Sequence, residues 1–146
     1  MLVFNNILRR SIDAQRLSAL LAMPQRYMGQ GDVKIIPSLS MTNEGPVLTK
    51  IFLITETYLC EVQVGEIDTV CFDIIDVTSV ANIRVAAGID HVSDGQEIIA
   101  SYKTATVSII HASSMSTTLD FVGDDRDEWL SAVLATFPAT STIRRQ

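Results

Sequence analysis

Near the end of the chain, apolar residues recur at the spacing of an α-helix. Trp129, Val133 and Phe137 stand four residues apart, and leucines flank them. This period predicts an amphipathic helix with a single apolar stripe, and Asp124 or Asp125 is expected to cap its start. We predict that the three stripe residues are structural anchors that fill the core of the fold.

Upstream of that helix, apolar and polar residues alternate in short segments that are rich in β-branched side chains. This alternation, interrupted by turn residues, predicts a series of β-strands. The even spacing of the segments is typical of a barrel or a sandwich. The predicted strands are Val33–Met41, Val47–Thr55, Tyr58–Val64, Thr69–Ile75, Val80–Ala87, Glu97–Tyr102, Thr104–His111 and Ser116–Val122.

A second helix is predicted at the start of the chain, where apolar residues again recur at helical spacing. Asn5 or Asn6 can cap it, and Pro24 is expected to end it at about Met23. We expect this helix to pack on the flank of the strands and to extend their core.

Composition and charge narrow the classes of function. The chain has 146 residues, 47% of them apolar, which suffices for one domain with a real core. Eleven Lys and Arg stand against 17 Asp and Glu, giving a net charge of −6. Nucleic-acid binding needs a basic surface, so we expect no nucleic-acid partner. No apolar run approaches the ~20 residues of a membrane span, and no signal-peptide pattern is seen, so a cytoplasmic location is expected.

The two cysteines are expected to remain reduced. When the third and fourth predicted strands pair with Cys60 opposite Phe72, apolar residues face apolar residues. In that register Cys60 points to the core and Cys71 to the opposite face, so the two sulfur atoms cannot meet.

The sequence carries no pattern that indicates catalysis, a cofactor or a metal. Its histidines and cysteines lack the spacing of zinc ligands. The loop Asp90–Gly95 has Val92 at the third position of a calcium loop, where an oxygen ligand is required, and is better explained as a turn. We therefore expect no catalytic residue, no cofactor and no metal site.

Three segments carry a family resemblance. Lys50–Leu59 looks like a pattern of a basic or polar residue, an alternating apolar strand, a Thr-Asp-like turn and then Leu-Tyr, although the last two residues here are Tyr58-Leu59. Phe72–Val80 is similar to a GRAM-type stretch. The last helix places Arg126, Trp129 and Ala132 in an Arg-x-x-Trp-x-x-Ala pattern. Together these segments resemble the pleckstrin-homology (PH) superfold, including its GRAM-like and bacterial relatives.

The resemblance covers residues 33–137 and implies a fold class. The expected fold is mainly β with helices: a seven-stranded PH-like barrel or sandwich capped by a C-terminal α-helix, plus an N-terminal helix. Residues 1–32 would hold that helix and a connecting loop, residues 33–138 the PH-like domain, and residues 139–146 a tail. The superfold is a platform for binding that hosts unrelated functions.

Relatives that bind phosphoinositides place several Lys and Arg around the first hairpin, where they contact phosphates. The positions that can be transferred to this chain are Lys34, Lys50 and Lys103. The turn of the hairpin contains Glu44, whose carboxylate would repel a phosphate. The three lysines are candidate ligand contacts, but specific phosphoinositide binding is not expected.

Three hypotheses of function follow. The preferred one is a non-enzymatic adaptor or scaffold that binds a protein, a peptide or its own copy at a strand edge or beside the terminal helix. The alternative is a peripheral membrane module, in which Arg9, Arg10 and Arg16 of the first helix contact anionic lipid. An enzyme or small-molecule carrier that uses the barrel interior is the least favoured, because the predicted inward residues would fill it.

Overall fold

Seven strands and three α-helices make up the part of the chain that the structure describes. The structure, a computed structural model, describes residues 2–29, 31–65, 68–88 and 103–137. The predicted strand Glu97–Tyr102 and the loop Asp90–Gly95 lie outside these residues. In chain order the elements are α1 (Leu2–Ser11), α2 (Ala14–Tyr27), β1 (Lys34–Thr42), β2 (Gly45–Ile54), β3 (Tyr58–Gln63), β4 (Phe72–Asp76), a 3-10 turn (Val77–Ser79), β5 (Val80–Ala87), β6 (Thr104–His111), β7 (Ser116–Val122) and α3 (Arg126–Ala135).

The strands form two antiparallel sheets, with the orders β1-β2-β3-β4 and β5-β6-β7. The sheets meet where β1 contacts β7. There the amide of Asp120 donates to Ser38 Oγ over 2.9 Å, and the Ser38 hydroxyl donates to the Asp120 carbonyl over 3.3 Å. Among the described strands, β4 and β5 are the outermost strands at the other ends of the two sheets. The prediction of a mainly β fold with a helix at each end is confirmed, but the described strands do not close into a barrel.

The central part of the first sheet is buried on both faces. Four consecutive residues of β2, Ile51 to Ile54, are almost inaccessible to solvent, although neighbours in a strand point to opposite faces. The N-terminal helices pack against this sheet: α1 contacts β1, α2 contacts β3, and the ring of Tyr27 lies 6.1 Å from that of Phe72. Buried residues of α1 and α2, including Phe4 and Leu20, belong to the same hydrophobic cluster as the strands. The helices therefore extend the core.

The prediction of a single N-terminal helix is wrong, because the chain forms two helices there. Asp13 is extended, and its carboxylate accepts the amide of Arg16 over 2.9 Å, which caps a new helix. Pro24 does not end that helix. A proline removes its own N–H donor and crowds the carbonyl four residues before it, but the Pro24 carbonyl still accepts the amide of Met28 over 3.2 Å, and α2 continues to Tyr27.

The predicted pairing of the third and fourth strands is displaced by two residues. Cys60 lies opposite Ile74, not Phe72, and the ladder is continued by two bonds from the amides of Gln63 and Val77. A shift of two residues keeps every side chain on its predicted face, since the period of a strand is two. Cys60 is accordingly buried, Cys71 is exposed, and both are free thiols.

The terminal helix α3 anchors itself in the core through one side of its surface. Trp129, Val133 and Phe137 are all buried. The indole ring stacks on Phe121 at 5.1 Å, and its N–H donates to the Pro37 carbonyl over 3.1 Å, which ties α3 to β1. The predicted side-chain cap is wrong: Asp125 occupies the cap position but makes no capping bond, since its carboxylate accepts from Arg10.

The two thiols are expected to differ in reactivity. Burial, with the nearby carboxylates of Asp73 and Glu61, raises the pKa of the Cys60 thiol to about 11. Maleimide at pH 8 should therefore label Cys71 in the folded protein and reach Cys60 only in urea, as mass spectrometry would show. The variant Cys71→Ser is the control, because it should abolish labelling of the folded state. Rapid native labelling of Cys60 would contradict the buried position.

Candidate functional site

The three candidate lysines do not form a cluster. Lys34 lies opposite Ile54 and Lys50 opposite Ser38, so the two stand four residues apart along the β1–β2 ladder, about 13 Å. The Lys50 ammonium is 3.6 Å from the carboxylate of Glu61. Lys103 precedes β6 in the other sheet. The structure therefore does not assemble a phosphate site from these residues.

The three candidate arginines are divided between two helices, and the fold uses two of them. On α1, Arg10 donates to the carboxylate of Asp125 over 3.2 Å, while Arg9 is exposed. On α2, Arg16 donates to the Val64 carbonyl over 2.7 Å. Because α1 and α2 are separate helices, these arginines do not share one helical face as the membrane hypothesis requires.

A cleft of about 640 Å³ lies between α1, the first hairpin and the loop before α3. Arg10 and Arg16 line one part of it, and Asp124 and Asp125 another. The opposite charges balance, so the cleft has no excess charge that would attract an anion. Its apolar lining includes Ile7, Leu39, Leu48, Val64 and Phe121.

A buried histidine brings two hydroxyl groups together, an arrangement that sequence reasoning missed. His111 Nδ1 lies 3.3 Å from Ser79 Oγ, and its Nε2 lies 3.1 Å from Thr117 Oγ1. The Ser79 hydroxyl already donates to the Asp76 carbonyl over 2.7 Å. We therefore assign the imidazole proton to Nδ1, which makes His111 a donor to Ser79 and not a base that could activate it. No local motif signals this contact, because Ser79 lies 32 residues before His111 in the sequence.

Within residues 2–29, 31–65, 68–88 and 103–137, no group of three or more His, Cys, Asp and Glu side chains could hold a metal ion. The same residues contain no helix that is both long and apolar enough to cross a membrane.

Asp76 organises the turn that leads from the first sheet to the second. Its carboxylate accepts the Thr78 hydroxyl over 2.8 Å and the Thr78 amide over 2.9 Å. These two bonds hold the pKa of Asp76 below its usual value, and the hydroxyl bond contributes more than the amide bond.

A titration should reveal this turn. The variant Thr78→Val removes the hydroxyl donor and keeps the amide, so the pKa of Asp76, followed by carboxyl NMR shifts, should rise toward the value of an unfolded chain. Because the folded pKa is depressed, the stabilisation is present above the unfolded value of about 3.9 and is lost as the pH falls through the folded value. The stability difference between wild type and Thr78→Val should therefore shrink in acid. An unchanged Asp76 pKa in the variant would show that the hydroxyl bond is not formed.

The outer edge of β5 carries backbone groups that β6 does not pair. The amide of Gly88 donates to the Thr104 carbonyl over 3.0 Å, which fixes the alternation of the β5–β6 ladder. Since antiparallel partners alternate between bonded and non-bonded pairs, the amide and carbonyl groups of Ile83, Val85 and Ala87 point away from β6. No described strand lies on that side of β5.

The side chains along this edge are also incompletely covered. Val85 lies opposite Val107, which is fully buried, and so belongs to the core face of the sheet. The Val85 side chain is nevertheless 42% exposed, and Ala87 is exposed as well. Core-facing positions with open apolar surface, beside a row of outward backbone groups, form a template for another strand. We call this surface, Ile83 to Ala87, the β5 edge.

The edge of β4 is a poorer template. β4 has five residues, against eight in β5, and carries the carboxylates of Asp73 and Asp76. Its first residue, Phe72, contacts the ring of Tyr27, and the strand ends in the 3-10 turn. Short, charged and partly covered edges resist pairing with other chains. The β4 edge, with Ile74 40% exposed at its centre, is therefore a matched control for the β5 edge.

Comparisons of the chain with protein-family models, with curated proteins and with solved structures gave no match.

Proposed function

We propose that this chain is a non-enzymatic PH-like interaction module that binds an extended protein segment as an added strand beside β5. The observation that carries the proposal is the β5 edge. An added strand would pair with the outward amide and carbonyl groups of Ile83, Val85 and Ala87 and would cover the apolar surface of Val85. Backbone bonds would supply affinity, and the alternate side chains would supply specificity.

The order of the elements supports the PH-like part of the proposal. A four-stranded antiparallel sheet, a three-stranded sheet and a terminal helix anchored by Trp129 follow one another as the PH resemblance implies. Relatives in that superfold accept peptides by strand addition, which is the mode that the β5 edge offers.

The charge of the β5 edge favours a particular partner. Arg84 is exposed and lies between two outward-facing residues. An opposite charge placed across the strands is favourable, whereas a like charge directly opposite is destabilising. We propose that the bound segment is extended, has β-branched residues on its core side, and carries an acidic residue on its solvent side.

A fluorescent probe tests the proposal. The peptide Thr-Val-Thr-Val-Glu-Val-Thr-Val-Thr should bind the protein, as measured by fluorescence anisotropy, and the same peptide with Lys for Glu should bind about two- to fivefold more weakly. Binding should slow hydrogen exchange at the amides of Ile83, Val85 and Ala87.

Proline variants supply the matched control. Val85→Pro removes an outward amide, so it breaks no bond between β5 and β6 and should leave the fold intact. It should weaken peptide binding at least about tenfold. Ile74→Pro removes an outward amide from β4 and should leave binding unchanged. Equal loss in both variants, at unchanged melting temperature, would refute strand addition at β5, as would a lack of binding to wild type.

A further inference from the structure

We infer that Arg126 is a positioning residue for the β5 edge, which it keeps in place by holding the backbone of Gly88, the residue that follows β5. The inference rests on the proposed function, because it concerns how that same edge is kept ready to accept a strand. Arg126 donates through Nη1 to the Gly88 carbonyl over 2.6 Å. The two residues are 38 positions apart in the sequence, so this bond ties the start of α3 to the end of β5.

The end of β5 is weakly held without this bond. No described strand lies on the outer side of β5, so its backbone is paired by β6 alone. The bond from the Gly88 amide to the Thr104 carbonyl, 3.0 Å long, is the last of the described β5–β6 ladder. Ends of edge elements open locally at a low free energy. Ala87, whose amide and carbonyl point outward, would therefore separate from β6 most easily.

Arg126 reaches Gly88 from a helix that is itself fixed. Trp129 lies three residues further along α3, on the same side of the helix, and is fully buried. Its indole N–H donates to the Pro37 carbonyl of β1, and α3 also contacts β6 and β7. The start of α3 is therefore anchored to both sheets, and a bond from Arg126 restricts the motion of Gly88.

Burial strengthens the bond between Arg126 and Gly88. The Arg126 side chain is 9% exposed, and a buried guanidinium is stable only when its donors are bonded. Its Nε donates to the Asp127 carboxylate over 3.2 Å, but Asp127 is 74% exposed, so solvent screens that ion pair. A charged donor that is shielded from water makes one of the stronger hydrogen bonds to a backbone carbonyl.

The bond leaves the outer side of β5 open to a partner. In an antiparallel strand the amide and the carbonyl of one residue point to the same neighbour. The Gly88 amide points to Thr104, so the guanidinium meets the Gly88 carbonyl on the β6 side. The backbone also runs close to β6 there, since a Cβ atom on Gly88 would lie 2.7 Å from Thr104 Oγ1. Arg126 thus holds the inner side of the strand, and the outward groups of Val85 and Ala87 stay available.

Peptide binding tests the positioning role. Arg126→Met keeps the apolar stem of the side chain and removes its donors. It should bind the fluorescent peptide that contains Glu about three- to tenfold more weakly, because binding must then also order the end of β5. Arg126→Lys keeps a charged donor without the guanidinium fork and should lie between wild type and Arg126→Met. Trp129→Phe destabilises the same helix but does not remove the Gly88 bond, so its affinity should stay within about twofold of wild type.

Hydrogen exchange of the protein without peptide gives a second readout, which a general loss of stability does not reproduce. In Arg126→Met the Gly88 amide should exchange at least about tenfold faster than in wild type. The Arg84 amide, opposite Ser108 in the middle of β5, serves as the internal reference. The ratio of the Gly88 rate to the Arg84 rate should therefore rise in Arg126→Met, and it should stay within about twofold of wild type in Trp129→Phe.

The results separate this inference from the proposed function. If Arg126→Met binds as tightly as wild type, or leaves the exchange ratio unchanged, the positioning role is overturned, and strand addition stands as long as Val85→Pro still weakens binding. A loss of affinity in Trp129→Phe as large as in Arg126→Met also overturns the positioning role. A wild type that does not bind the peptide overturns the proposed function and the inference with it. Weaker binding with a raised exchange ratio in Arg126→Met alone supports both.

Discussion

Replacing Trp129 with alanine is expected to lower the free energy of unfolding by about 3–5 kcal/mol. The indole is fully buried, stacks on Phe121, and donates to the Pro37 carbonyl. The change creates a large cavity between α3 and the strands and leaves a buried carbonyl without its donor. Urea denaturation followed by circular dichroism measures the loss, since the variant lacks the chain's single tryptophan.

Two further variants divide that loss into its parts. Trp129→Phe keeps an aromatic ring against Phe121 but removes the N–H, so it should cost about 1–3 kcal/mol. Ser131→Ala changes an exposed residue of the same helix and should stay within about 0.5 kcal/mol of wild type. A loss in Trp129→Ala no larger than in Ser131→Ala would contradict the role of α3 as an anchor.

Phe4→Ala is expected to be nearly as damaging, with a loss of about 3–5 kcal/mol. Phe4 is fully buried in the cluster that α1 shares with the strands. The neighbouring Leu2 is also apolar but 73% exposed, so Leu2→Ala should change the free energy of unfolding by no more than about 0.5 kcal/mol. Comparison of the two variants by urea denaturation separates the effect of losing a buried side chain from the effect of changing helix propensity.

Equal effects of Phe4→Ala and Leu2→Ala would show that α1 is not part of the core. The expected difference means instead that residues 33–137 depend on the N-terminal helices for stability, because the sheet that α1 and α2 cover has apolar residues on both faces.

The positions of the strands could be predicted from the sequence with good accuracy. The segments Val80–Ala87, Thr104–His111 and Ser116–Val122 have the same bounds in the structure as in the prediction. Their alternation is local information, because each strand has one face toward the core and one toward solvent. The terminal helix could also be predicted, because its apolar residues recur at helical spacing, which is likewise local information.

Other features depend on choices that the pattern leaves open. Hydrophobic alternation fixes the face of Cys60 but not its partner, because a shift of two residues preserves all faces. The apolar residues of the two N-terminal helices follow a single continuous period. The break between the helices is marked by one capping bond, in which the Arg16 amide donates to the Asp13 carboxylate. The sequence signal for that break is Asp13 itself, because aspartate is a common helix cap.

For the candidate site residues too, the sequence shows which charged groups are present, and the tertiary structure decides which of them are engaged in the fold. The sequence identified Arg10, Arg16 and Lys50 as charged groups available for a ligand, but tertiary contacts with Asp125, Val64 and Glu61 engage them within the fold. An exposed strand edge was predicted as a docking surface, but no sequence pattern states which strand is outermost.

The sequence by itself determined the approximate positions of the described strands and of the terminal helix, the core face of the alternating strands, and the classes of function that a net charge of −6 disfavours. These follow from periodicity and composition, which act between near neighbours in the chain or on the chain as a whole. Only the tertiary structure decided the strand order, the contact of β1 with β7 through Ser38, and the edge of β5 that no described strand covers. Those features depend on which distant segments share backbone hydrogen bonds, and every strand offers the same backbone groups.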